Sequence, residues 1–91
     1  MDQRKIAILK HLKYAGIDYG LSIAKHTKIT LQEVLILLEE LEREGYIERF
    51  TKGKAIKRKI AKFKLSKEVH KHHTYYSLTK KGKEFIKLLK N

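Results

Sequence analysis

LQEVLILLEELEREGY, residues 31–46, decides how the rest of the chain is read. Thr30, just before it, opens the pattern Thr30-Leu31-Gln32-Glu33. This is a capping box: the Thr30 hydroxyl accepts from the Glu33 amide, and the Glu33 side chain returns to the Thr30 amide. Ile29 and Val34 hold the two positions of a hydrophobic staple, and Gly45 supplies a left-handed stop. These signals predict a helix over 31–44. At helical spacing Leu31, Val34, Leu37, Leu38 and Leu41 form one wide apolar stripe, which is expected to face the core. Gln32, Ile36, Glu39 and Arg43 fall on the opposite face, flanked by Leu35 and Glu40. The helix holds five acids, Glu33, Glu39, Glu40, Glu42 and Glu44, against one base, Arg43. Glu42 and Glu44 lie near its C-terminus, where the helix dipole disfavours them.

Upstream, the spacing predicts a helix over 3–14 with Ile8, Leu12 and Ala15 on one face, widened by Leu9 and ended by Gly16. Ile17 and Tyr19 read as a short extended link. A second, short helix is expected over 21–26 with Leu21, Ile23 and Ala24 as its apolar content, followed by the turn Thr27-Lys28-Ile29. Downstream, YIERF at 46–50 alternates as a strand does, and TKGK at 51–54 breaks it. TYYSL at 74–78 is a second β-prone run. Thr79 then caps a last helix over 80–90 with Phe85, Leu88 and Leu89 on one face; Gly82 in its first turn is expected to weaken it locally. Between the strands lies KGKAIKRKIAKFKLSKEVHKHH, residues 52–73. Ile56, Ile60 and Phe63 have helical spacing, whereas Ala61, Phe63 and Leu65 alternate as in a strand. An extended continuation of the hairpin arms is the favoured reading. No internal repeat or domain boundary is visible.

At 91 residues and 42% hydrophobic, the chain suffices for a single domain, 1–91, with one modest core. With no Cys, there is no disulfide framework and no thiolate metal site, which fits a reducing, cytoplasmic setting. No apolar run approaches the ~20 residues of a membrane span, and MDQRKIAILKHLKY at the N-terminus has no long apolar core of a signal peptide. The net charge of +12 is unevenly placed: residues 1–44 hold seven bases and seven acids, residues 45–91 fifteen bases and three acids. Such asymmetry points to a polyanionic partner.

The order helix, helix, turn, helix, strand, basic excursion, strand, helix carries a resemblance. EELEREGYIERF, 39–50, followed by TYYSLTKKGKEFIKLL, 74–89, resembles the winged helix-turn-helix proteins of bacterial and archaeal transcription regulation. Their third helix ends at Gly, here Gly45. Their second wing strand runs into a Tyr-x-Leu-Thr-x-x-Gly pattern, here Tyr76, Leu78, Thr79 and Gly82. The basic stretch ending in HKHHTYY, 70–76, is also similar to a group of small archaeal winged-helix proteins. The resemblance implies an α+β, mainly helical fold with a three-helix core, a β-hairpin wing at about 46–78 and a C-terminal helix. It further implies a homodimer and binding to double-stranded DNA, with the third helix at or near the major groove.

On that expectation Gln32 is placed to pair with adenine and Ile36 to touch a thymine methyl. Glu39 and Glu40 would face phosphates, which is repulsive and departs from the family's pattern. The wing compensates: Lys52, Lys54, Lys57, Arg58, Lys59, Lys62, Lys64 and Lys67 fall within 16 residues and suit a phosphate backbone. Ser22, Lys25, Lys28 and Thr30 are candidates for further phosphate contacts. Leu35, Ile36 and Glu39 also suit a protein-docking face, and wing lysines with Tyr75 and Tyr76 suit RNA or unstacked bases. His70, His72 and His73 could bind a metal, but without Cys, and with His73 off the shared strand face, they are read as part of the basic wing. No metal or cofactor is expected. There is no Gly-rich phosphate loop, and Ser22, Ser66 and Ser77 lack a base with an orienting acid, so no enzyme is expected.

Overall fold

The computed structural model describes residues 1–50 and 74–89. Helix α1 runs Gln3–Ala15, strand β1 Asp18–Tyr19, α2 Gly20–Thr27, α3 Leu31–Arg43, β2 Ile47–Phe50, β3 Tyr75–Leu78 and α4 Lys80–Leu89. The described residues are thus α+β and mainly helical, four helices on one antiparallel sheet. The stretch expected as a mere link, 17–19, contributes a third strand, so the sheet order is β1-β3-β2 rather than a two-stranded hairpin. Asp18 pairs with Tyr76 and Tyr19 with Tyr75, while Ile47 pairs with Leu78 and Phe50 with Tyr75. A two-stranded ribbon is marginal in water; a third strand and helix packing make it persist.

β3 is the central strand and is buried along its whole length. Tyr76 and Leu78 join the core, where they meet Ile8, Leu9 and Leu12 of α1, Ile23 of α2, Leu38 and Leu41 of α3 and Ile86 of α4. Tyr75 meets Tyr19 edge-on, ring centroids 5.5 Å apart. Both tyrosines are therefore structural, and the expectation that they stack on bases is corrected: neither ring is presented to solvent.

The signals around α3 act much as expected. The Thr30 hydroxyl accepts from the Glu33 amide at 3.2 Å. The Glu33 carboxylate does not complete the box as expected; it meets Arg4 and accepts from the Thr30 hydroxyl at 3.4 Å. Gly45 has φ +88°, and its amide bonds Glu42 O while the Tyr46 amide bonds Leu41 O, each at 3.0 Å. That pair of bonds is a Schellman stop, which only a residue tolerant of positive φ completes cheaply. Val34, Leu37, Leu38 and Leu41 are buried, each stabilising the fold by about 1.5–3 kcal/mol.

Four expected apolar-face positions are exposed. Leu31, in the first turn of α3, is 41% exposed, and Leu21 of α2 is similar. On α4 the buried residues are Gly82 and Ile86, with Phe85 half-buried against Tyr46, whereas Leu88 is 71% and Leu89 42% exposed. Gly82 explains the rotation. A Cβ there would lie 2.1 Å from Tyr46 O, so the missing side chain lets α4 press onto the 45–46 backbone. Thr79 secures the junction: its hydroxyl donates to Gly45 O at 2.6 Å and accepts from the Gly82 amide at 3.1 Å, and its own amide donates to Tyr46 O at 3.1 Å. Gly82 is therefore a packing requirement, not a weak point of the helix.

Candidate nucleic-acid interface

α2, its turn and α3 present one set of exposed residues. Lys25 lies in the last turn of α2, and Lys28 ends that helix in the left-handed region, φ 65°, with its amide on Ala24 O at 2.9 Å. Thr30 caps α3 two residues later, and Gln32, Leu35, Ile36, Glu39 and Arg43 follow on its outer side, all exposed. Ile36 is 54% and Leu35 51% exposed. Leu35 and Leu31 both reach Gly20, where an added Cβ would come within 3.0 Å of Leu35 Cδ2. Ser22 is not free to meet a ligand through its proton, because its hydroxyl donates to Asp18 Oδ2 at 2.7 Å.

The acids of α3 all have partners. Lys5 of α1 lies 3.0 Å from Glu40 and 3.2 Å from Glu44. Its ammonium is held above its ordinary range, chiefly by the hydrogen bond to Glu40. Arg4 pairs with Glu33 and, at 3.0 Å, with Asp2. Arg49 of β2 reaches Glu42 at 2.9 Å and Arg43 reaches Glu39 at 3.4 Å. Lys81 of α4 donates to Glu44 O at 2.7 Å and sits 4.5 Å over the Tyr46 ring, offsetting the negative end of the α3 dipole. The expectation that Glu40 faces phosphates is therefore corrected: it turns to α1, leaving Glu39 as the acid of the outer face, already paired. Lys5 and Lys81 carry no local signal in the sequence, since Lys5 answers acids, and Lys81 a backbone carbonyl, 35 or more residues away; Arg49 meets Glu42 across the turn from α3 to β2.

Lys52, Lys54, Lys57, Arg58, Lys59, Lys62, Lys64 and Lys67, with His70, His72 and His73, lie outside the described residues. The structure does fix where that segment starts and returns. Phe50 and Tyr75 are register partners at one end of the β2–β3 pair, so the intervening stretch, with nine bases and the single acid Glu68, begins and ends at that end of the sheet. Among the described residues no helix is long and apolar enough to cross a membrane.

The described residues thus form a small α+β fold, and the basic stretch 51–73 lies in sequence between two paired strands, β2 and β3. The chain belongs to the family described as an uncharacterized protein conserved in archaea (DUF2250), which matches residues 1–89. No curated protein matches the chain.

Proposed function

We propose that the protein is a winged helix-turn-helix DNA-binding protein of transcription regulation. In this reading residues 51–73 supply most of the affinity for duplex DNA, and α3 lies at or near the major groove. The observation that carries it is that the nine-base stretch begins and ends at one end of the β2–β3 pair, at Phe50 and Tyr75, in a chain whose first 44 residues carry no net charge. Two further features support it. The order α1-β1-α2-α3-β2-β3-α4 with sheet order β1-β3-β2 is consistent with a winged helix and supports the reading. The pairing of every α3 acid removes most of the repulsion that an acidic helix would meet near phosphates. Tyr14, Leu88 and Leu89 are exposed apolar positions on α1 and α4, which a homodimer would cover.

The test compares duplex-DNA affinity of the wild type with Lys57→Glu/Arg58→Glu and with Ile36→Lys. The double wing change introduces repulsion where two phosphate contacts are expected, and should weaken binding at least tenfold at low salt, whatever the sequence. Unchanged affinity would remove the proposal's main support. A second reading rests on the exposed Leu35 and Ile36: α3 docks a protein partner within a nucleic-acid complex. Ile36→Lys should then break an assembly while leaving DNA affinity alone. Preference for RNA over DNA in the same assay would replace the DNA reading with an RNA one.

A further inference from the structure

Three side chains that the nucleic-acid reading does not use converge where α1, β1 and α2 meet: His11, Asp18 and His26, whose donor atoms lie within 4.8 Å of one another. Asp18 is only 6% exposed, and a carboxylate at that depth needs compensation. His11 Nε2 is 2.6 Å from Asp18 Oδ2, the Ser22 hydroxyl donates to the same oxygen, and the Tyr19 amide donates to Oδ1 at 2.9 Å. The His11 and His26 rings stack, with centroids 4.8 Å apart and planes 22° from parallel. His26 Nδ1 lies 2.8 Å from Ser22 O, a bond that requires a proton on Nδ1. In the neutral ring this leaves the lone pair on Nε2. A backbone carbonyl fixing one ring nitrogen so that the other can ligate is the usual support of a metal-bound imidazole.

We propose that His11, Asp18 and His26 bind one divalent transition-metal ion, with Ser22 as the positioning residue for two of the three ligands. Ser22 holds Asp18 through its hydroxyl and His26 through its carbonyl. Two imidazoles and one carboxylate suit Zn²⁺, Co²⁺ or Ni²⁺ rather than Mg²⁺ or Ca²⁺, which prefer oxygen sets. With bonds of about 2.0–2.2 Å, a tetrahedral ion needs ligand atoms about 3.3 Å apart, so the His11–Asp18 contact opens from 2.6 Å. The ion takes the place of the proton in that contact, which moves to His11 Nδ1 or leaves for solvent. Water fills the fourth position, and exposed His26 gives the ion its way in. One ion would tie α1, β1 and α2 together, since each contributes one ligand. The proposal does not rest on the DNA reading.

The test is a Co²⁺ titration of the full chain at neutral pH, read by visible d–d absorption, with Zn²⁺ as competitor. One tetrahedral Co²⁺ per chain is expected, displaced by Zn²⁺. His26→Gln should weaken Co²⁺ binding at least about 100-fold, beyond what loss of an outer-shell partner causes. Because His26 is at the surface, this variant should keep the wild-type circular dichroism spectrum. The triple change His70→Gln/His72→Gln/His73→Gln should leave the titration unchanged. Zn²⁺ at a hundred times its Kd should raise the wild-type Tm by about 10 °C or more and leave His26→Gln unmoved. Absence of stoichiometric Co²⁺ binding, persistence of the bands in His26→Gln, or their loss only in the triple variant would each overturn the proposal.

Discussion

Gly82→Ala is the sharpest test of how α4 is held. In most helices this change is favourable by about 1 kcal/mol, because alanine restricts the unfolded chain and suits the helix. Here the new methyl carbon would stand 2.1 Å from Tyr46 O, 3.1 Å from Tyr46 C and 3.3 Å from Leu78 Cδ2. Real Cβ contacts stop near 3.0 Å, so α4 or the 45–46 backbone must retreat by about 0.9 Å. The obstacle is backbone and cannot rotate away. The same carbonyl accepts the Thr79 amide at 3.1 Å, and the Thr79 hydroxyl spans Gly45 O and the Gly82 amide. A retreat of that size strains these bonds, each worth about 1 kcal/mol, on top of about 1–3 kcal/mol for overpacking. After the propensity gain, the net cost is about 2–4 kcal/mol. For a domain of this size that is a fall of roughly 10–25 °C in Tm. Thermal unfolding followed by circular dichroism measures it, with Gly20→Ala as the contrast. At Gly20 the near atom is Leu35 Cδ2, the tip of an exposed side chain, so that variant should lie within about 1 kcal/mol of the wild type. A Gly82→Ala protein as stable as the wild type, or more so, would refute the close approach of α4 to Tyr46.

Two other outcomes follow from single residues. Lys28 sits in the left-handed region at φ 65°, which costs an L-residue with a side chain about 1 kcal/mol; Lys28→Gly should raise stability in urea by about 0.5–1 kcal/mol while weakening DNA binding, effects of opposite sign in one variant. Burial pushes the Tyr75 phenol from 10.0 up to about 12, and Tyr76 is raised by burial too. The unfolded chain therefore loses these protons at lower pH than the folded one, so this stabilisation is whole below pH 10 and is lost as pH rises from 10 towards about 12. The Tyr75 hydroxyl has no hydrogen-bond partner among the described residues, so Tyr75→Phe should cost little near neutrality and flatten part of that alkaline decline in urea midpoints.

Legibility in the sequence followed the range of the interactions. The ends of α3 are readable because each signal acts within about a turn of the end it marks, Thr30 and Glu33 at the start and Gly45 at the stop. The Tyr76-Leu78-Thr79-Gly82 run located β3 and the start of α4, but its glycine was misjudged, because its reason lies in Tyr46, 36 residues away. β1 has two residues, too few for any periodicity to register. Leu31, Leu21, Leu88 and Leu89 have apolar-face spacing and are still exposed, since a stripe does not say which part of it another element covers. On the candidate interface, the charge count of α3 suggested repulsion that ion pairs from α1 and β2 largely answer. His11, Asp18 and His26 are spread over 16 residues with no motif spacing; the one hint was an acid, Asp18, between Ile17 and Tyr19.

The central proposal, DNA binding led by the basic segment, is tested most directly by fluorescence anisotropy of duplex DNA, duplex RNA and single strands over a salt series. A wing-led duplex binder should prefer duplex DNA, and log K should fall against log salt with a slope of about −4 to −7, as for five to eight neutralised phosphates. No duplex binding even at low salt, or a slope near zero, would contradict it.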